Sequence, residues 1–144
     1  MDILDDLGNA HMAAIQRQNL ANLLAEDDRV DEAGGLARNL VGTVLRLGDP
    51  NLTLAFANTY MNILLRQGDP VRAAHLFGAE EGMRERLALP NPYVEEELEE
   101  ALALVDGVMS PAEWDQHRQL GREELLEDLL AQLESASKEA GQGR

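Results

Sequence analysis

The chain has 144 residues, a formal charge of -15, no cysteine and 3% aromatic residues. That length fits one domain with its own core, and the lack of cysteine excludes a disulfide framework or a thiolate metal site, making a reducing cytoplasm the natural home. Residues 1–90 hold 13 acids against 8 bases and residues 91–144 hold 14 against 4, so phosphate backbones meet net repulsion and direct nucleic-acid binding by this chain is excluded.

The only aromatic residues are Phe56, Tyr60, Phe77, Tyr93 and Trp114, too few for a base-stacking platform. The first residues lack a basic start before an apolar run, and no apolar stretch approaches the ~20 residues that span a bilayer. The expectation is a soluble chain that is neither exported nor held in a membrane.

In chain order, residues 1–8 read as the remnant of a preceding helix, closed by Gly8-Asn9. The next segment has Ile15, Leu20, Leu23 and Leu24 at helical period and stops at Asp27-Asp28. A second helix carries Val30, Ala33, Leu36, Ala37, Leu40, Val44 and Leu45. Gly48-Asp49-Pro50 then supplies a left-handed stop, a capping side chain and a proline for a first turn. A third helix has Leu52, Ala55, Phe56, Ile63 and Leu64, and Gly68-Asp69-Pro70 repeats the signal. A fourth has Val71, Ala74, Phe77, Met83 and Leu87 and ends before Asn91-Pro92. The fifth follows with Val94, Leu98, Ala101, Leu102, Val105 and Val108. Ser110-Pro111 with Glu113 spells a capping box. After Gly121, residues 122–140 form a last helix with Leu125, Leu126, Leu129, Leu130 and Leu133, and residues 141–144 are a disordered tail.

The proposed caps Asn9, Asp28, Asp49, Asp69, Asn91 and Ser110 are 19 to 22 residues apart, which makes hairpins of constant length. "LLAEDDRVDEAGGLA" (Leu23–Ala37) also lies over "LLRQGDPVRAAHLFG" (Leu64–Gly78) at an offset of 41, pairing Asp28 with Asp69 and Ala33 with Ala74. The expected fold is therefore all-α: a single domain over 1–144, with about seven helices stacked as antiparallel hairpins in a short solenoid and 122–140 as the capping helix. Gly34, Gly35 and Gly42 stand inside a predicted helix and suggest a tight helix crossing there.

These residues resemble tetratricopeptide-type repeats, which implies a short right-handed tetratricopeptide-like solenoid. More narrowly, Gly68, Asp69, Pro70, Ala73, Ala74, Leu76, Gly78 and Ala79, followed by Trp114, Gly121 and Arg122, are similar to the C-terminal end of the repeat arrays in MalT-like signal-transduction ATPase regulators with LuxR-type DNA-binding ends. The resemblance implies the interaction or sensor part of a bacterial transcriptional regulator, or a free-standing relative. Two departures accompany it. The hairpin period exceeds the ~34 residues of a standard unit, and neither a Gly-x-x-x-x-Gly-Lys-Ser/Thr phosphate loop nor a basic recognition helix is present.

On the first helices of such hairpins one stripe faces the concave side. It gathers Gln18, Asn19, Asn22, Thr59, Tyr60, Ile63 and Arg66, followed by Glu96, Glu99 and Glu100. Asparagine amides there suit a bound peptide's backbone, and "EEELEE" (Glu95–Glu100) favours a basic partner at most. The competing reading of the polar stripe is solvated helix surface.

His11, His75 and His117 belong to no local ligand motif, and "DDRVDE" (Asp27–Glu32) lacks the glycine and the closing glutamate of a calcium loop. No nucleophile motif is found. The expectation is thus a non-catalytic module without cofactor or metal that recognises a protein or peptide. A small-molecule sensor and a homodimerising structural module are the alternatives.

Overall fold

A computed structural model describes the backbone of residues 3–142 and the side chains of residues 8–134. The described residues form seven α-helices and no strand: α1 (Ile3–Glu26), α2 (Val30–Leu47), α3 (Pro50–Arg66), α4 (Pro70–Leu87), α5 (Val94–Leu104), α6 (Pro111–Arg122) and α7 (Leu126–Gln142).

The Gly-Asp-Pro signals act as their chemistry requires. Gly48 and Gly68 take the left-handed conformation at φ 62° and 79°. The Asp49 carboxylate accepts from Asn51 N at 3.0 Å and the Asp69 carboxylate from Arg72 N at 3.3 Å. Ser110 and Glu113 close the capping box of α6, each side chain accepting from the other residue's backbone N–H at 3.1 and 3.3 Å. His11 Nε2 lies 2.7 Å from Asp49 Oδ2, tying α1 to the α2–α3 turn and holding the Asp49 carboxyl below its usual range.

Several boundaries differ from the sequence reading, including the end of α5 at Leu104, before Val105 and Val108. Gly8 and Asn9 lie inside α1, because no proline follows them to remove a backbone donor and Ala10, His11 and Met12 continue the helix. Asp28 does not cap α2. It occupies the left-handed position at φ 60°, and the turn carries the two bonds of a Schellman motif: Asp28 N to Ala25 O at 3.3 Å and Arg29 N to Leu24 O at 2.8 Å. Gly68 N to Leu65 O (3.2 Å) and Asp69 N to Leu64 O (2.9 Å) are the same pair, so Asp28 corresponds to Gly68 and the structural repeat offset is 40, one less than the aligned letters suggest.

Asn91 sits two residues before the N-cap of α5, its side chain accepting from Tyr93 N at 3.0 Å. Gly121 and Arg122 belong to α6, and α7 begins only at Leu126. Gly141 and Gln142 fall within α7, while residues 143–144 of the expected tail lie outside the described residues.

α1 packs on α2 and α3, α3 on α4 and α5, and α6 along α4, while α7 returns to cover α2, α3 and α4. Ala33, Ala37, Phe56, Ile63, Ala73, Ala74, Leu126 and Leu130 are among the fully buried residues of the shared core.

The closest helix approach is between α4 and α6. A methyl group on Gly78 would fall inside contact distance of the Arg118 carbonyl oxygen, and one on Gly121 would do the same to the His75 carbonyl. At Gly82 it would stand 2.8 Å from the Arg122 carbonyl. Trp114, 1% exposed, meets Phe77 edge-on at 5.9 Å, and Arg118 holds Glu81 with two bonds of 2.6 and 2.7 Å. The crossing predicted for Gly34, Gly35 and Gly42 is not there. Their added methyls would meet only the Gln67 side chain, the Arg38 side chain and Glu134 respectively, all side chains rather than backbone.

Two substitutions test this account. Gly78→Ala should destabilise by roughly 2–3 kcal/mol in urea unfolding, although alanine is the better helix former by about 1 kcal/mol, because the methyl must displace backbone. Ala88→Gly should stabilise by about 1 kcal/mol with an unchanged denaturant slope, because Ala88 ends α4 at φ 54°, a conformation that penalises a Cβ.

Candidate functional site

The stripe predicted on the first helices divides in the structure. Asn22 of α1 and Arg66 of α3 come together with Glu26, Asn62 and α5 residues Glu100 and Leu104 around an open cleft of about 380 Å³. Asn22 is held in place, its Nδ2 donating to Thr59 Oγ1 at 3.0 Å while Thr59 donates to Ala55 O at 3.2 Å. That leaves the Asn22 carbonyl as a fixed acceptor at the cleft. Arg66 makes no ion pair with another described residue. A guanidinium, two carboxylates and two amides thus line one cleft.

The remaining predicted positions lie elsewhere. Thr59 is buried, as are Tyr60 and Ile63, at 3% and 0% exposure. Tyr60 packs edge-on against Phe56 at 5.8 Å, and burial pushes its hydroxyl up to about 12, tempered by Arg38 and Arg72 nearby. These two side chains are core, because α3 is covered on both sides and a helical period alone cannot report a second cover.

Asn19 is exposed and outside the cleft. Gln18 is half-buried, and its Oε1 has no hydrogen-bond partner among the described residues. Glu96 and Glu99 are exposed on α5 away from the lining. Glu26 and Asn62 escaped the sequence reading. Asn62 was within reach of it, being four residues before Arg66 on the same helix face.

A second cleft, of about 360 Å³, lies where α4 and α7 meet the start of the α6–α7 turn, with Leu76, Leu129 and Leu133 as its apolar wall and Arg72, His75, Glu124 and Gln132 as its polar rim. His75 Nδ1 lies 2.7 Å from Glu124 Oε1, and His75 Nε2 lies 3.2 Å from His117 Nδ1. With the carboxylate accepting at Nδ1, a neutral His75 accepts from His117 at its other nitrogen. The two histidines, 42 positions apart, are thus neighbours through the α4–α6 crossing, which no sequence spacing could show. Among the described residues no group of three or more His, Asp or Glu is placed to hold a metal ion. No described helix is long and apolar enough to cross a membrane.

A further perturbed group is Glu80 on α4, 5% exposed, with Arg84 Nε donating to it at 3.2 Å. Burial raises its carboxyl to about 7, with Glu97 and Glu81 adding to the rise and Arg84 opposing it. Glu97 itself is held by Asn91 Nδ2 at 2.9 Å, so α5 is seated beside a carboxylate that resists ionisation.

No known family, curated protein or solved structure matches the chain.

A carboxyl raised on folding keeps a proton that the unfolded chain has already released, so stability should fall as the pH rises from 4.5 through about 7. Urea unfolding across that window should show the native protein losing roughly 2–3 kcal/mol relative to Glu80→Gln, whose side chain cannot titrate. Parallel profiles for the two proteins would refute the assignment.

Proposed function

We propose that this chain is a non-catalytic recognition module of helical-hairpin repeats that takes a polypeptide segment in the cleft between α1, α3 and α5. The observation that carries the reading is the cleft's inventory: an Arg66 guanidinium without an ion-pair partner among the described residues, in one lining with Asn22, Asn62 and the carboxylates of Glu26 and Glu100. Amides in that position bond a peptide backbone in both directions, and the flanking carboxylates favour a basic side chain at the rim. Arg66 suits a backbone or terminal carboxylate oxygen.

The repeat reading, a short right-handed solenoid, is supported by the recurring turn chemistry and by the adjacency of α1, α3 and α5, whereas α7 lies over α2, α3 and α4 and not over the last hairpin as a cap would. It is also supported by α6 lying along α4. A place as the interaction part of a bacterial signal-transduction regulator, or as a free-standing cytoplasmic relative, rests on the likeness of the turn and crossing residues to such arrays.

A second reading has one observation in its favour. The α4–α7 cleft combines an apolar wall with a few converging polar groups at a volume within the range of small-molecule sites, roughly 300–1,000 Å³. A metabolite that raises the melting temperature of the native protein but not of His75→Ala would support it.

The peptide reading is tested by selecting random peptides on the intact protein. Enriched sequences should be rich in Lys or Arg, and their affinity should drop at least tenfold on Asn62→Ala combined with Glu100→Gln, two partly exposed changes that spare the core. Failure to enrich any sequence, or unchanged affinity of the double variant, would defeat it.

A further inference from the structure

α5 has a single buried residue, Ala101, and packs on α3. Past its C-terminal end Val105 and Met109 anchor the chain at 2% and 8% exposure, whereas its N-terminal end rests on the half-buried Val94 and Leu98. That N-terminal end is the cover over Glu80. Asn91, Val94 and Glu97 close with Phe77, Glu80 and Arg84 around a cavity of about 20 Å³, room for one water molecule. Polar bonds tie the cover down: Arg84 donates to Glu80 at 3.2 Å and to the Leu89 carbonyl at 3.3 Å, and Asn91 donates to Glu97 at 2.9 Å.

Carboxyl groups outnumber cations at this cavity. Glu81 also lines it, but Arg118 of α6 holds that side chain with two bonds. Among the described residues Arg84 is the one cation in the lining, and its donors are divided, so Glu80 of α4 and Glu97 of α5 face a shared space with a single positive charge. α3 adds none, since its only ionic side chain, Arg66, lines the cleft with Asn22, and the charges that act on its Tyr60 are Arg38 and Arg72. α7 meets α4 around Leu76, at the other cleft. The closed arrangement therefore suits a Glu80 that keeps its proton: burial favours the neutral form first, Arg84 opposes it, and Glu97 adds to it.

We propose that α5 is a pH-operated gate: when Glu80 loses its proton, the N-terminal end of α5 lifts from α4, water reaches the carboxylate, and the wall that Glu100 gives to the α1–α3–α5 cleft moves with it. Glu97 and Glu100 are three residues apart on one helix face, so what displaces one displaces the other. The closed form holds a proton that the open form has released, so opening is increasingly favoured as the pH rises from 4.5 through about 7. The gate needs no ligand, and only its consequence for binding rests on the peptide reading.

Hydrogen exchange on the intact chain, corrected for the intrinsic rate at each pH, tests the gate. Between about pH 5 and about pH 8 the amides of residues 98–104 should lose protection at least tenfold, and mild urea should hardly alter their rates, as a local opening requires. The amides of α2 should stay at least tenfold better protected throughout. In Glu80→Gln the α5 amides should be equally protected at both pH values. Glu97→Gln, at a half-buried site, should shrink the loss without abolishing it. A native-sized loss in either variant, or α5 amides that exchange no faster than those of α2, would overturn the proposal. The exchange is read without a peptide, so a cleft that binds none and a gate that does not open are separate results.

Discussion

Two helices can run with their backbones in contact only where neither bears a side chain at the meeting points, and α4 and α6 satisfy this at Gly78, Gly82 and Gly121. The pairings of Glu81 with Arg118 and of Glu85 with Arg122 show that the two helices run in the same direction. A parallel neighbour requires a connection that travels back, and α5 is that connection. It reaches α3 on its way, forming the third wall of the cleft that holds Asn22 and Arg66. The same crossing fixes His117 beside His75 and delivers the chain into α7, which seals α2 and α4. Both clefts are therefore consequences of three positions without side chains.

The positions on which the sequence resemblance rests acquire a physical meaning here. Gly78, Trp114, Gly121 and Arg122 all lie at the α4–α6 contact, and Gly68, Asp69 and Pro70 make the turn that starts α4. They are packing and capping residues. What a partner would meet comes from other residues, chiefly on α1, α3 and α5, whose side chains the repeat pattern leaves open. The turn and crossing chemistry accordingly bears on architecture, not on what the cleft could hold.

Legibility followed the range of the interaction. The starts of α3, α4 and α6 were readable because capping and proline act within a few residues. Asp28 was misread because aspartate serves both as a cap and as a tolerable left-handed residue, and the choice between them depends on where α1 stops. Asn22, Arg66 and Glu100 were within reach of a helical period. The burial of Tyr60 and Ile63, the meeting of His75 with His117 and the glycines of the α4–α6 contact were not, since each depends on a helix distant in sequence. Gly34 and Gly78 look alike in the chain. Only the neighbour separates them: a flexible Gln67 side chain beside one, a backbone carbonyl beside the other.

The chain's one tryptophan lies at that same contact, wedged edge-on against Phe77 with Arg118 stacked 5.3 Å from the phenylalanine ring. Its indole is sealed from water, and its N–H has no acceptor among the described residues. The molecule thus carries an intrinsic optical probe confined to one seam. Its emission should shift to longer wavelength when α6 parts from α4 and the indole meets water.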